Sequence, residues 1–218
     1  MTTVAENTRE RIVATALRLF KERGFEATTM RGIAAEAGVS VGNAYYYFSS
    51  KEQLIQAYYD RAQCEHEAAC RELLAVERSF EGRLGGVLRA WVRVSDPYHE
   101  FAAKFFKHAA EPGNPLSPFS AESTPARESS IAIYREVAEG SADRMDSDLR
   151  AELPELLWLL SMGVVLFWVH DTSPGCERTY RLIDRVVPLV DRLVALSNLP
   201  GLRGVARDFI DVVRELRA

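Results

Sequence analysis

Apolar residues recur at three- and four-residue steps along most of the chain, which is the period of a helix with one buried face. This period and the Gly and Pro residues that interrupt it predict helices at about 7–23, 30–37, 40–48, 51–77, 82–95, 98–110, 127–139, 154–170, 176–197 and 201–217. No stretch of the sequence alternates apolar and polar residues as a strand does, so the predicted fold class is all-α. Residues 1–6 are expected to form a disordered arm.

Residues 27–52 predict two short helices joined by a tight turn. Thr28 and Thr29 are the candidate N-caps of the first helix and Ser40 is that of the second, because their side-chain oxygens can accept hydrogen bonds from unpaired backbone N–H groups. Gly38 lies between the two helices and can adopt the left-handed conformation that ends a helix without steric cost. Ser50 has capping-box spacing and marks the start of the next helix.

The second short helix has an outer face with unusual chemistry. Ala44, Tyr47 and Phe48 can face the core, which leaves Gly42, Asn43, Tyr45 and Tyr46 pointing outward. Glycine lets another backbone approach, an amide can donate and accept, and tyrosine hydroxyls can bind phosphate oxygens or pack on a thymine methyl. These are the contacts expected of a recognition helix in the major groove of DNA.

The motif that carries this pattern is Thr-Thr-Met-Arg-Gly-Ile-Ala-Ala-Glu-Ala-Gly-Val-Ser-x-Gly-x-x-Tyr-x-Tyr-Phe-x-Ser-Lys-Glu-x-Leu. It closely resembles the N-terminal domain of the TetR/AcrR family of bacterial transcriptional regulators, over residues 8–56. The resemblance implies a ligand-responsive, homodimeric DNA-binding protein that is not an enzyme, most often a repressor, on a palindromic operator. It implies a three-helix, helix-turn-helix DNA-binding domain at 1–52 and a larger helical ligand-binding and dimerisation domain at 53–218.

The same resemblance implies two groups of DNA contacts. Phosphates would be held by Thr29, Ser40, Tyr46 and Lys51, with Arg31 as a further candidate. The base edges would lie nearest Val41, Gly42, Asn43 and Tyr45. The family commonly has a bulky aliphatic residue in place of Ala44 and a polar or basic one in place of Val41, so the operator sequence is not predicted.

Charge gives the DNA-binding interpretation no support of its own. The net charge is −4, and residues 1–60 hold seven basic and seven acidic residues, although phosphate neutralisation supplies much of the affinity in many complexes. Tyrosine, serine and backbone contacts need no net charge, so the motif decides the interpretation. The N-terminus lacks a signal-peptide pattern, and three cysteines fit no disulfide framework. Both observations favour a cytoplasmic protein.

Large aromatic residues are the candidates for an effector site. For any one ring, ordinary core packing is the better interpretation, but as a set they could line an apolar cavity with a few polar anchors. The resemblance implies such a cavity in the second domain, for a small apolar or aromatic effector. The candidate lining residues are Trp91, Phe101, Phe105, His108, Tyr134, Trp158, Phe167 and Trp168.

The most apolar helix, 154–170, is a candidate for subunit contact. Its uncharged part is 14 residues long, short of the ~20 that span a bilayer, so no membrane partner is expected. A helix that is apolar on all sides is buried on both, and one side can face a partner subunit. Together with 176–197 it is expected to supply most of the homodimer contact. The helix at 51–77 is long enough to connect the two domains as a rod.

Two residue pairs could carry other chemistry, but ordinary structural roles are favoured for both. His66 and Cys70 have the spacing of a metal-binding pair but no third ligand, so surface positions are favoured and no metal or cofactor is predicted. His170 followed by Asp171 is favoured as a helix end rather than as a catalytic dyad. The alternatives to a repressor that stay open are a transcriptional activator, and an all-helical enzyme or ligand carrier without DNA binding.

Overall fold

The computed structural model of the chain describes residues 4–109, 111 and 113–197. Over these residues the chain forms α-helices and no strand, which confirms the predicted all-α class. The predicted helix at 201–217 lies outside the described residues. The helices are α1 (Val4–Arg23), α2 (Met30–Glu36), α3 (Val41–Tyr47), α4 (Lys51–Val76), α5 (Phe80–Ser95), α6 (His99–Ala109), α7 (Thr124–Glu139), α8 (Ser147–Val169) and α9 (Glu177–Leu196).

Four helices start earlier than predicted, among them α5 at Phe80 and α7 at Thr124. α1 begins at Val4, so residues 4–6 belong to a helix rather than to a disordered arm. α8 begins at Ser147 rather than at 154, where the apolar run starts. Its N-cap is Asp146, whose side chain accepts two backbone hydrogen bonds from the first turn, at 3.0 and 3.3 Å. Helix starts are set by local caps, which the apolar period alone does not reveal.

The described helices divide between two compact units. The first comprises the residues up to Cys64 together with Pro97–Arg127, and the second comprises Glu65–Asp96 together with the residues from Glu128 onward. α4 contributes residues to both units. α6 belongs to the first unit, whereas the predicted boundary assigns it to the second domain at 53–218. The predicted boundary between residues 52 and 53 concerns where DNA binding ends and ligand binding and dimerisation begin, and it stays a prediction.

Aromatic rings explain why α6 joins the first unit. The ring centroid of Phe20, on α1, lies 6.0 Å from that of Phe101 and 5.1 Å from that of Phe25. Phe101 stacks on Phe105 at 5.2 Å, and Phe105 lies 5.3 Å from Phe25. α1 packs on α2, and α2 packs on α3. This aromatic core therefore joins α6 to α1, on which α2 packs.

The second unit is built around α5 and α9, which pack on each other, and α9 also contacts α8. Large side chains fill its core with almost no exposed surface, among them Phe80, Leu84, Leu88, Tyr134 and Trp168. Burial of this size is the main stabilising contribution to a helical unit, because each such side chain contributes about 1.5–3 kcal/mol.

α8 is, of the described helices, the one long and apolar enough to cross a membrane by length and composition. Buried helices of globular proteins pass the same test, so this is weak evidence of a membrane span. In this chain 44% of the most apolar window of α8 is buried within the structure.

A buried carboxylate fastens the connection between α8 and α9. Asp171 accepts four hydrogen bonds, from the backbone N–H and the hydroxyl of both Ser173 and Thr179, at 2.6–2.9 Å. Burial raises the pKa of this carboxyl, but the hydrogen bonds outweigh burial and lower the pKa to about 2. His170 is exposed, and its Nδ1 lies 2.9 Å from the carbonyl oxygen of Leu166. Asp171 therefore orders the chain and does not form a dyad with its neighbour.

Replacing Asp171 by asparagine is expected to lower the free energy of unfolding by about 2 kcal/mol at pH 7, because an amide cannot accept all four bonds. The pKa of Asp171 in the folded state lies below the ordinary aspartate value of 3.8. The stabilisation is therefore present above pH ~4 and is lost as the pH falls towards 2. Urea unfolding at pH 7 and pH 3 should show the difference between wild type and variant falling to about half. A difference that stays constant between these pH values would contradict the assignment.

Candidate nucleic-acid interface

The turn between α2 and α3 forms as the sequence predicts. Gly38 has a φ of 65°, in the left-handed region, and its N–H donates to the carbonyl of Ala35 at 3.2 Å. Val39 packs against the core of the first unit. Ser40 caps α3, because its Oγ accepts a hydrogen bond from the N–H of Asn43 at 3.1 Å. These local bonds fix the direction in which α3 leaves the turn.

α3 buries one side and exposes the other. Ala44 and Phe48 are 0% and 2% exposed, whereas Tyr46 is 82% exposed. The exposed residues, which together we call the α3 face, are Val41, Gly42, Asn43, Tyr45 and Tyr46. The face therefore offers an amide, two phenol hydroxyls and an open stretch of backbone to whatever approaches it.

Gly42 is not required by the chain's own packing. Its φ lies outside the left-handed region, and a Cβ built on it would meet no atom within 4 Å. Because the folded chain would accept a side chain at this position, the glycine is better explained by an outside surface that comes close to the helix.

Three of the predicted phosphate contacts lie at helix N-termini. Thr29 caps α2 by accepting from the N–H of Gly32 at 3.1 Å. Both this hydroxyl and that of Ser40 keep their O–H groups available as donors. Nζ of Lys51 lies 2.7 Å from the carbonyl oxygen of Phe25 and 4.3 Å from the centroid of its ring. An ammonium has three donors, so Lys51 can hold this carbonyl and a phosphate together. The sequence did not reveal the part played by Phe25.

Two arginines of α1 form ion pairs with glutamates of α1 and α2. Arg18 pairs with Glu22 at 3.1 Å and with Glu36 at 2.9 Å, and Arg23 pairs with Glu36 at 3.3 Å. The hydrogen bond from Arg18 lowers the pKa of Glu36. Arg31 is exposed and has no carboxylate partner among the described residues. Arg31, the single basic residue of α2, is thus available for a phosphate.

Comparison with protein families agrees with this geometry. Residues 12–58 match the family model described as "Bacterial regulatory proteins, tetR family", and residues 83–216 match "Tetracyclin repressor-like, C-terminal domain". The second match alone covers more than half of the chain. The chain belongs to the TetR family. The resemblance to the TetR family and the predicted all-α fold are thereby confirmed. The family consists of transcriptional regulators rather than enzymes.

Similarity to individual TetR-family proteins is more limited. The regulator SrpR of Pseudomonas putida is 36% identical over 86 residues, which are 39% of this chain and 40% of that protein. A TetR regulator from Nitrosomonas europaea superposes with a TM-score of 0.64 at 21% identity, over 83% of this chain and 96% of that chain. The Thermus thermophilus repressor FadR, solved with lauroyl-CoA, gives 0.58 at 24% identity, over 83% and 93%. The chain spans less than half of the curated relative, and the structural likeness establishes the fold.

The predicted effector residues do not form one group in this TetR-family chain. Phe101 and Phe105 are each 4% exposed in the aromatic core of the first unit, so they do not line a cavity in the second. Phe167 is 40% exposed on α8, because it points away from the core that Trp168 enters. The side chain of His108 lies outside the described part of the chain.

The remaining four predicted residues lie in the second unit. Trp91 of α5 and Trp168 of α8 are 5.1 Å apart between ring centroids, with their planes at 81°. Tyr134, Trp158 and Trp168 are at most 6% exposed. The buried core of the second unit, which we call its apolar interior, therefore includes Tyr134 of α7 with Trp158 and Trp168 of α8, and Trp91 of α5 packs on Trp168.

A buried polar pair on α4 was predicted wrongly as surface. His66 and Cys70 are each 1% exposed, because α5 covers this side of α4 and the Nε2 atom of His66 lies 3.0 Å from the carbonyl oxygen of Val87. Burial raises the pKa of the Cys70 thiol to about 12, which keeps it neutral. Among the described residues no three potential ligands cluster to hold a metal ion.

A cleft of about 550 Å³ opens elsewhere in the second unit. Its lining includes the residues Glu81, Arg89, Asp143, Asp184, Val187, Pro188 and Asp191, and none of the predicted aromatic residues that the structure describes. Arg89 pairs with Asp184 at 2.5 Å. Burial and the nearby carboxylates of Asp143 and Glu81 raise the pKa of Asp191. Such an acidic, polar cleft does not suit an apolar effector.

Proposed function

We propose that the chain is a homodimeric, ligand-responsive repressor that binds a palindromic operator and works in the cytoplasm. The observation that carries the proposal is the α3 face, where Gly42 leaves the backbone open beside exposed tyrosines. The phosphate contacts would come from Thr29, Arg31, Ser40, Tyr46 and Lys51. In a two-fold dimer, two α3 helices would enter successive major grooves about 34 Å apart.

Exposed apolar side chains on α8 and α9 support the homodimer. On α9, Leu189, Leu193 and Leu196 recur at helical spacing and are 55%, 66% and 43% exposed. On α8, Leu166 and Phe167 are 48% and 40% exposed, and the exposed Gly163 has open space beside it. Several exposed large apolar residues on neighbouring helices are typical of an interaction site, and a two-fold interface needs one self-complementary patch.

Replacing Leu193 by aspartate is expected to weaken the dimer by about 100-fold or more, because each subunit would bury an unpaired charge in the contact. Analytical ultracentrifugation over a range of concentrations measures the change. Val76→Asp is the matched control, since Val76 is an apolar residue that is 75% exposed on a different helix, at the C-terminal end of α4. A Leu193→Asp protein that sediments as the same dimer as wild type would move the interface elsewhere.

Release of DNA by an effector requires that the effector bind two states of the dimer with different affinities. A ligand that binds the second unit can release DNA when it prefers a dimer whose α3 helices are wrongly spaced for the two grooves. α4 is the candidate connection, because it contributes residues to both units. FadR, a family repressor of known structure, was solved with lauroyl-CoA, and a small apolar or aromatic effector is proposed for this chain.

Selection of bound duplexes from a random DNA pool, at near-physiological salt, tests the proposal directly. Enrichment of one palindrome is expected, and its half-site spacing should equal one helical turn or a multiple of it. Binding that is sequence-blind and lost with added salt would be non-specific. That outcome would favour the ligand-carrier or enzyme alternative. Transcription from a promoter that carries the selected operator then separates repressor from activator.

A further inference from the structure

The apolar interior of the second unit contains a small set of buried polar groups. His66 and Cys70 lie on α4, Tyr134 on α7 and Ser161 on α8, and each is at most 7% exposed. Ser161 Oγ donates to the carbonyl of Trp158 at 2.6 Å, and the hydroxyl of Tyr134 hydrogen-bonds to Ser161. The two hydroxyls therefore satisfy each other and the backbone.

His66 differs from these groups because one of its nitrogens has no partner. Nε2 lies 3.0 Å from the carbonyl oxygen of Val87, so Nε2 must carry the proton and donate it. Nδ1 is then an acceptor, and no donor among the described residues reaches it. Burial lowers the pKa of the ring, which keeps it neutral at pH 7. An unpaired buried acceptor is costly, and such groups call for a functional explanation.

We infer that the effector binds in this interior and donates a hydrogen bond to Nδ1 of His66, which makes the effector a neutral molecule with an apolar body and one hydroxyl or amide N–H. The inference rests on the proposed function, whose effector it specifies. A carboxylate ligand brings only acceptors and would face the lone pair of Nδ1. An apolar ligand without a donor would leave that lone pair unpaired.

Tryptophan residues provide an intrinsic fluorescence signal from this interior. Its three tryptophans are Trp91, Trp158 and Trp168, and all belong to the second unit. Trp91 and Trp168 are in edge-to-face contact, 5.1 Å apart. A ligand that enters beside these rings changes their surroundings, so tryptophan fluorescence follows binding without DNA.

The test titrates the full chain with menthol, decahydro-2-naphthol and 4-tert-butylcyclohexanol, each paired with its methyl ether, and with 4-tert-butylcyclohexanecarboxylate as the anion. At least one alcohol is expected to bind about tenfold tighter than its ether, because the ether cannot donate. His66→Phe should remove this preference and leave ether binding unchanged. His99→Phe, in the first unit, is the matched control and should keep the preference.

Three results would overturn the inference: no alcohol binds, alcohol and ether bind equally, or the preference survives in His66→Phe. If that variant fails to fold, wild-type protein labelled with ¹⁵N-histidine answers the same question, since the chain has only four histidines. The Nδ1 resonance of His66 should shift with the alcohol and not with the ether, and an unshifted resonance would contradict the inference. Because no DNA is present, failure here is distinguishable from failure to enrich an operator.

Discussion

Replacing Arg83 by methionine is expected to lower the free energy of unfolding by about 3–5 kcal/mol, the cost of removing one partner from a buried charged network. Arg83 is 3% exposed. Its Nη1 donates to the carbonyls of Leu74 at 2.7 Å and Glu77 at 2.6 Å. Nη2 donates to Glu136 at 2.7 Å, and Nε to Val137 at 3.3 Å.

These four carbonyls lie at or just beyond the C-terminal ends of α4 and α7, where backbone acceptors commonly lack partners within the helix. One buried cation thus satisfies two helix ends and interacts favourably with both dipoles. Methionine keeps the apolar stem of the side chain but offers no donor, so the carbonyls of Leu74, Glu77 and Val137 would lose their partner, whereas that of Glu136 would keep the N–H of Gly140 at 3.0 Å. Urea unfolding followed by tryptophan fluorescence reports on the second unit, which holds all three tryptophans.

The control for Arg83 is Arg89→Met, which removes a largely exposed ion pair with Asp184 and should cost only about 0–1 kcal/mol. Gly140→Ala gives an independent check, because a Cβ there would overlap Nη2 of Arg83. It should destabilise wild type and have a much smaller effect in the Arg83→Met background. Equal costs in the two backgrounds, or a loss below about 1 kcal/mol for Arg83→Met, would contradict this account.

The helix-turn-helix could be predicted from sequence because its determinants are local. Gly38, Ser40 and the Ser50 capping box each act within a few residues, and the alternation of buried Ala44 with exposed Tyr45 and Tyr46 follows from helical spacing. A pattern read over ten residues contains all of this information. The chemistry of the α3 face therefore appeared in the sequence before the fold was known.

The second unit and the effector site could not be predicted in the same way, because they depend on which helices pack together. From the sequence alone Phe101 is a candidate cavity residue, but the packing of α6 on α1 places it in the core of the first unit. His66 looks like a surface residue until α5 covers it. Arg83 carries no local sign that it joins two helix ends. Composition and period do not encode such long-range pairings, so the sequence groups the aromatic residues by type and does not reveal that they belong to different units.

Replacing Gly42 by leucine is expected to lower operator affinity by about 100-fold or more while leaving the fold intact. A leucine side chain would stand between α3 and the groove in both half-sites of a two-fold complex, and each clash should cost on the order of 1–3 kcal/mol. Inside the chain the new side chain meets nothing within 4 Å at its Cβ. Leucine is also the better helix former by up to about 1 kcal/mol, so thermal stability should stay equal or rise. Fluorescence anisotropy with the selected operator measures the affinity.

Ala68→Leu is the control for Gly42→Leu, because it adds a large side chain to an exposed position of α4 in the second unit. It should bind the operator as wild type does. The salt-dependent binding to unrelated duplexes should survive in Gly42→Leu, since phosphate contacts from Thr29, Ser40 and Lys51 need no open backbone on α3. A variant that loses specific binding and keeps non-specific binding places α3 against the bases. Full operator affinity in Gly42→Leu would instead mean that another surface reads the DNA, and the α3 face would lose its role.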